Sequence, residues 1–164
     1  MLKLNTLPEV PVSIGELMDK WVILQIKAAR IKDEDKLDNI MTELEALNDI
    51  AGPYLYGTDG NAVGQLVSDL TKVNEELWDI EDKIRGLERE DIPVKFFGFM
   101  MDDNHPDWDD GCGMLDDEDV PKVVEYVELA RAVYFTNDKR CAIKRSINEL
   151  LLSGFLEEKS YKEY

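Results

Sequence analysis

Basic residues are concentrated on two segments of a chain that is otherwise strongly acidic. The formal charge of the 164 residues is −17, yet residues 20–32 hold four cations and no acid, and residues 131–148 hold five cations and one acid. Clustered lysine and arginine side chains are typical of sites that bind phosphate or carboxylate groups, because arginine holds such a group with two parallel hydrogen bonds and lysine supplies a point charge. The two segments therefore predict a binding site for a small anionic metabolite, such as a nucleotide or a sugar phosphate.

The spacing of these residues predicts which side chains would surround the anion. Steps of three, four and seven residues return to the same flank of an α-helix, and both segments use such steps. The predicted ligand-binding residues are Lys20, Lys27, Arg30, Arg85, Asn137, Arg140, Lys144 and Asn148. Glu81 is the predicted general base for a reaction on the bound ligand. The alternative interpretation is that the cations lie on solvated helix faces and pair with the abundant acids.

Hydrophobic residues recur with helical periodicity in four segments, and none of the sequence shows the alternation of a β-strand. The first segment opens with Ser13 and Glu16, which have the spacing of a capping box. The second covers residues 33–50, and the third, residues 63–87, holds a strict a/d heptad pattern. The fourth begins after Asp119. Its spacing predicts a core face made of Val120, Val123, Val127, Ala130 and Tyr134.

Residues 101–119 interrupt the helical pattern with nine acids and no lysine or arginine. We interpret this stretch as a solubilising loop insertion. The sequence thus predicts an all-α fold, a four-helix bundle with a long acidic insertion between the third and fourth helices, in a single helical domain of residues 1–164. No metal site is predicted, because Asp107, Asp109 and Gly111 fit only a fragment of a calcium-binding loop, and no cofactor is expected.

Four blocks of the sequence together resemble a known family. They are residues 11–20 (PVSIGELMDK), 77–85 (LWDIEDKIR), 136–148 (TNDKRCAIKRSIN) and 157–161 (EEKSY). This combination is similar to a domain-of-unknown-function family of small helical proteins that occurs in bacteria and in tailed phages. The resemblance covers most of the chain and implies the helical fold, with the acidic stretch as an insertion relative to the family pattern. It implies no activity.

The net charge and the cysteines indicate which binding partners and which cellular compartment to expect. A net charge of −17 argues against nucleic acid and anionic membranes as partners, because both would be repelled by most of the surface. No run of residues approaches the roughly 20 apolar positions that cross a bilayer. Cys112 and Cys141 lie in unrelated contexts without a C-x-x-C spacing. We therefore expect a cytoplasmic protein with free thiols.

Three other functions fit the same sequence. The heptad seam of the third helix favours a non-catalytic helical interaction or oligomerisation protein, with a homodimer formed through that seam. A set of acids resembles the paired carboxylates with which all-helical nucleotide pyrophosphohydrolases hold Mg²⁺. The members of that set are Glu75, Glu76, Asp79, Glu88 and Asp91. A rearrangement enzyme of the helical chorismate-mutase type is the remaining alternative, since it also needs cations around a negatively charged substrate.

Overall fold

Four α-helices account for most of the residues that the computed structural model describes, which are 9–57, 60–90, 92 and 118–156. The helices are α1 (Ile14–Arg30), α2 (Glu34–Leu55), α3 (Gly60–Arg89) and α4 (Val120–Leu150). No strand occurs among these residues. The prediction of an all-α four-helix bundle, with the acidic segment between the third and fourth helices, is therefore confirmed. Residues 101–117 of the predicted insertion and the block at 157–161 lie outside the described residues.

Side-chain caps fix where the first two helices begin. The Ser13 hydroxyl accepts a hydrogen bond from the Glu16 amide at 3.2 Å, which is the forward half of the predicted capping box. The Asp33 carboxylate accepts from the Lys36 amide at 3.0 Å. Each cap satisfies an amide that the helix itself leaves without an acceptor, and such a cap contributes about 1 kcal/mol. The carboxylate of Glu16 is bound by Lys144 of α4.

The chain divides into two compact units. The first combines the residues up to Lys72 with those from Arg140 onwards, and the second comprises Val73–Lys139. Both α3 and α4 contribute residues to each unit. The prediction that residues 1–164 form a single domain stays a prediction.

In the first unit, α1 lies against α2. A buried apolar cluster forms where the two helices meet, and half-buried side chains close around it. Its members are Leu24, Ile40 and Leu44, with Trp21, Ala28, Ile31 and Leu47 around them. The Trp21 indole N–H donates to the Asn48 side-chain oxygen at 2.7 Å. The ring is thus buried on its apolar side and hydrogen-bonded at its polar edge.

In the second unit, the end of α3 lies against the beginning of α4. Leu87, Ile92 and Val123 are buried together, with Tyr126 and Leu129 packed against them. Most of the predicted heptad seam of α3 is buried, at Val63 and Leu70 in the first unit and at Val73, Leu77, Ile80 and Leu87 in the second, while Leu66 and Ile84 are half-buried. A homodimer through this seam stays a prediction, which the burial of these side chains does not support.

Candidate functional site

Four charged side chains, of which Asp19 and Lys144 are buried, join α1 to the last part of α4 within the first unit. The Asp19 side chain is only 3% exposed. Arg140 donates to its carboxylate from Nε, at 2.9 Å to Oδ1 and 3.1 Å to Oδ2, and from Nη2 at 2.5 Å to Oδ2. The buried Lys144 ammonium contacts Glu16 and lies 4.0 Å from the Asp19 carboxylate. We call these four side chains, Glu16, Asp19, Arg140 and Lys144, the α1–α4 clamp. The clamp matches two cations with two carboxylates.

The first amides of α1 are also satisfied within the same unit. The Gly15 amide donates to the Asn148 side-chain oxygen at 2.7 Å, and the Ile14 amide donates to the Ser153 hydroxyl at 3.2 Å. The N-terminus of a helix offers such amides to a bound anion when no side chain takes them. Here two side chains from α4 and the turn after it occupy them, together with the Ser13 cap. This helix terminus is therefore closed by the protein itself.

Gly15 allows α1 to approach α4 this closely. A Cβ atom at this position would lie 2.5 Å from the Lys144 carbonyl oxygen and 3.1 Å from the Asn148 amide group. Real Cβ atoms do not come this near to a backbone oxygen, so any other residue would force the helices apart. The close approach is what brings the buried ion pairs within hydrogen-bonding distance.

The electrostatics of the clamp stabilise its charged form. Hydrogen bonds to Asp19 raise the pKa of the Arg140 guanidinium above its ordinary value, and the charges of Asp19 and Glu16 act in the same direction. Burial opposes this shift in pKa but does not reverse it. The interaction with Asp19 therefore favours the charged form of Arg140. Loss of Arg140 would leave Asp19 without its main partner in the interior, and loss of Asp19 would leave an unmatched, partly buried guanidinium.

The structure brings only some of the predicted ligand-binding residues together. Arg140, Lys144 and Asn148 meet α1, but they meet its acidic side chains and its first amides instead of its cations. The Lys20 ammonium nitrogen lies 2.6 Å from a carboxylate oxygen of Glu43 on α2. Ion pairs of this kind between basic residues and carboxylates are what the alternative interpretation of the cationic segments expects. Anion binding stays a prediction, which these ion pairs do not support.

The other predicted site residues lie elsewhere. Lys27 and Arg30 occupy the last turn of α1, where their positive charges complement the negative end of the helix dipole. Glu81 and Arg85 belong to α3 in the second unit and form an exposed ion pair of 2.7 Å with each other. Asn137 is a half-buried residue of α4 in that same unit. The proposed base, Glu81, is thus an ordinary i, i+4 partner of an arginine on a solvated helix face.

The acids that complete the clamp were not predicted as functional residues. Glu16 and Asp19 are three residues apart on α1, and Arg140 and Lys144 are four apart on α4. Each pair therefore occupies one flank of its helix, with opposite charge. This complementary spacing is the sequence signal for the clamp. A prediction that considers the basic residues only as one group does not detect it.

Metal binding finds no support among the residues that the structure describes. No three or more histidine, cysteine, aspartate or glutamate side chains there are grouped in a way that could hold a metal ion. Glu76, from the pyrophosphohydrolase alternative, accepts a hydrogen bond from Thr136 at 3.4 Å and lies 3.8 Å from the Lys139 ammonium. Asp91 of that alternative lies outside the described residues.

The first half of α4 carries an exposed apolar surface within the second unit. Its members are between 36% and 52% exposed, and they are Val120, Val124, Val127, Tyr134 and Phe135. At 3.6 residues per turn these positions fall within a sector of about 100°, with Arg131 at its centre. We call these six residues the outer face of α4. The Arg131 Nε donates to the Tyr134 hydroxyl at 3.4 Å, and the rings of Tyr134 and Phe135 are 4.6 Å apart.

In the first half of α4 the predicted core face was mostly wrong, whereas its continuation at Ile147 is buried. Of its members, Val123 is buried, whereas Val120, Val127 and Tyr134 belong to the outer face. The helix packs through another side, which includes Tyr126 and Leu129. Apolar residues thus surround much of the circumference of α4, so periodicity alone did not identify the side that contacts α3.

No family model matches the chain, and neither a curated protein nor a solved structure is similar to it. The resemblance to a domain-of-unknown-function family therefore stays a prediction. None of the helices in the described ranges combines the length and the apolar composition that crossing a bilayer requires.

Proposed function

We propose that this protein is a non-catalytic helical interaction protein that forms a homodimer through the outer face of α4. The observation that supports this function is the exposure of five apolar side chains along one side of a single helix. They extend over residues 120–135, which is about 22 Å at 1.5 Å per residue. A stripe of this shape fits the side of another helix, which is the usual partner of apolar residues spaced three and four apart.

The size of the surface fits a functional contact. The exposed fractions of these side chains correspond to about 400 Å² of apolar surface, which lies within the range of patches that are often functional on soluble proteins. Two such surfaces with a polar rim would bury roughly 1,200 Å², at the lower end of specific interfaces. We therefore expect a reversible dimer with a dissociation constant in the micromolar range, on the order of 1–100 μM.

The charge of the outer face and its surroundings favours a second copy as the partner. Residues 120–139 hold three cations and three acids, whereas the whole chain has a net charge of −17. Two copies of so acidic a chain repel each other over most of their surfaces. An electrically neutral, partly apolar segment adds no repulsion of its own, so apolar burial there can exceed the repulsion between the rest of the two copies.

The oligomeric state of the purified protein tests the proposal. Sedimentation equilibrium from about 1 to 300 μM should show a monomer–dimer equilibrium for the wild type. The Val127→Glu variant places a carboxylate in the outer face and should be monomeric throughout this range. Val127 is 40% exposed, so glutamate is accommodated on the free helix without a change of fold, which circular dichroism would verify.

Met41→Glu is the matched control for this variant. Met41 lies on α2 in the first unit, is 49% exposed, and the substitution adds the same charge to another helix surface. It should leave the dimerisation constant close to the wild-type value. A wild-type chain that stays monomeric at the highest concentration, or equal effects of the two variants, would contradict the proposed function.

A further inference from the structure

We infer that the two copies pair with their α4 helices antiparallel, so that Glu128 of each copy lies beside Arg131 of the other. This inference rests on the proposed function, because it specifies the orientation of the second copy on the outer face of α4. Three features support it. They are the position of Arg131 on α4, the order of the apolar residues on α4, and the charge of the residues that precede α4.

Arg131 lies at the centre of the outer face, between Val127 and Tyr134 along the helix. A guanidinium in the middle of an interface needs an acceptor, since burying an unmatched charge is costly. In a parallel, in-register pair each Arg131 would face its own counterpart, and two like charges would meet in the apolar centre. An antiparallel pair avoids this contact.

Glu128 supplies the acceptor in the antiparallel arrangement. It is exposed and lies one turn before Arg131 on the adjoining edge of the same face. A two-fold axis between residues 129 and 130 places each Glu128 against the Arg131 of the second copy, which forms two identical ion pairs. The interface is then self-complementary, as a symmetric dimer requires.

The same axis also matches the apolar residues. With the centre between residues 129 and 130, Val124 of one copy lies opposite Phe135 of the other, and this contact occurs twice. Both side chains are exposed in the single chain, at 52% and 40%. Val120 then lies opposite Lys139, whose alkyl stem can cover an apolar side chain while its ammonium stays in water. Val120, Val124 and Phe135 thereby each face an apolar or aliphatic surface of the second copy.

The charge that precedes α4 also favours the antiparallel orientation. Residues 101–119 carry nine acids and no lysine or arginine, and they lead directly into the first residue of the helix. A parallel pair would bring the starts of both helices within about one Debye length, roughly 10 Å at 0.1 M salt. The antiparallel pair separates the two helix starts, each preceded by Glu118 and Asp119, by the length of residues 120–139, about 28 Å, so that repulsion between these acids is largely screened.

Disulfide trapping of the full-length chain tests the orientation. In a background with Cys112→Ser and Cys141→Ser, one preparation carries Val124→Cys and the other carries Phe135→Cys. Mixing and mild oxidation should give the mixed disulfide several-fold faster than either preparation links to itself. A parallel pair would instead link each preparation to itself, which would overturn the antiparallel arrangement.

A charge exchange provides the second test. Glu128→Arg and Arg131→Glu should each weaken dimerisation roughly tenfold or more, because each places two like charges together twice. The variant that carries both substitutions should return to within about threefold of the wild type, since the pairs are restored with opposite polarity. The thermal transition of the dilute monomer, recorded for each variant, separates this effect from a change in the stability of α4.

The two proposals fail in different ways. A wild-type chain that is monomeric in sedimentation overturns both the homodimer and its orientation. A wild-type dimer that gives no mixed disulfide, or whose affinity the double exchange does not restore, overturns the antiparallel pairing and leaves the homodimer in place.

Discussion

The α1–α4 clamp makes a quantitative prediction about Asp19. Asp19→Asn removes the carboxylate that accepts hydrogen bonds from Nε and Nη2 of Arg140, while the shape of the side chain is retained. Removing one partner of a buried ion pair costs about 3–5 kcal/mol, because the other charge remains in the interior without compensation. The Arg140 side chain is 25% exposed and therefore regains some hydration. We expect the free energy of unfolding to fall by about 2–4 kcal/mol.

Urea denaturation followed by circular dichroism measures this loss. With a slope of about 2 kcal/mol per molar urea, the midpoint should fall by roughly 1–2 M while the slope itself stays constant. The matched control is Glu81→Gln, which removes a carboxylate from another arginine pair at 2.7 Å whose side chains are 51% and 56% exposed. That variant should lose no more than about 0.5 kcal/mol, since exposed i, i+4 pairs contribute little.

A double-mutant cycle connects the loss to the pair itself. Asp19→Asn combined with Arg140→Gln should cost at least about 1 kcal/mol less than the sum of the two single changes, because the double variant no longer holds an unmatched guanidinium. Equal midpoint shifts for Asp19→Asn and Glu81→Gln would refute the reasoning, and so would simple additivity within the cycle. Either result would mean that burial does not distinguish the clamp from a surface ion pair.

Further predictions concern the close approach of α1 to α4 and the anion-binding site that the sequence predicted. Gly15→Ala should destabilise the protein by about 1–3 kcal/mol in the same urea experiment, because its Cβ would meet the Lys144 carbonyl oxygen at 2.5 Å. Gly64→Ala, on the exposed side of α3 with open space around it, should instead stabilise by up to about 1 kcal/mol. Phosphate and sodium chloride of equal ionic strength should give the wild type the same thermal transition, since carboxylates already occupy the clamp cations. Phosphate should raise the transition of Asp19→Asn, whose cations have lost a carboxylate, whereas a rise in the wild type would favour the anion-binding hypothesis.

The sequence predicted the helices well because their signals are local. The Ser13 cap and the heptad seam over residues 63–87 depend on spacings within one helix, and the structure contains both. The core face of the first half of α4 was predicted incorrectly, because that part of the helix carries apolar side chains on more than one side. Which side is buried depends on contacts with residues such as Leu87, far away in the sequence.

The candidate site was less predictable for a related reason. Charge counting along the sequence grouped Arg140 and Lys144 with other basic residues, although their partners are two acids more than 120 positions earlier. Periodicity does not reveal which sides of two helices contact each other. Whether a basic residue pairs with a carboxylate or lines a cationic pocket depends on that contact. The block at residues 11–20 has a structural role in the contact between α1 and α4, since it contains Gly15 and both acids of the clamp.

The pairing of Ile14 with Ser153, 139 positions apart, has a consequence for biosynthesis. The second unit is one continuous piece of chain, so we expect it to fold without residues translated after it. The first unit is discontinuous, and the polar partners of α1 are available only after residues 140–153 have been translated. The apolar contacts between α1 and α2 are local in sequence and do not depend on those residues. Because contacts between distant residues slow folding, we expect the first unit to be the slower one to complete its structure.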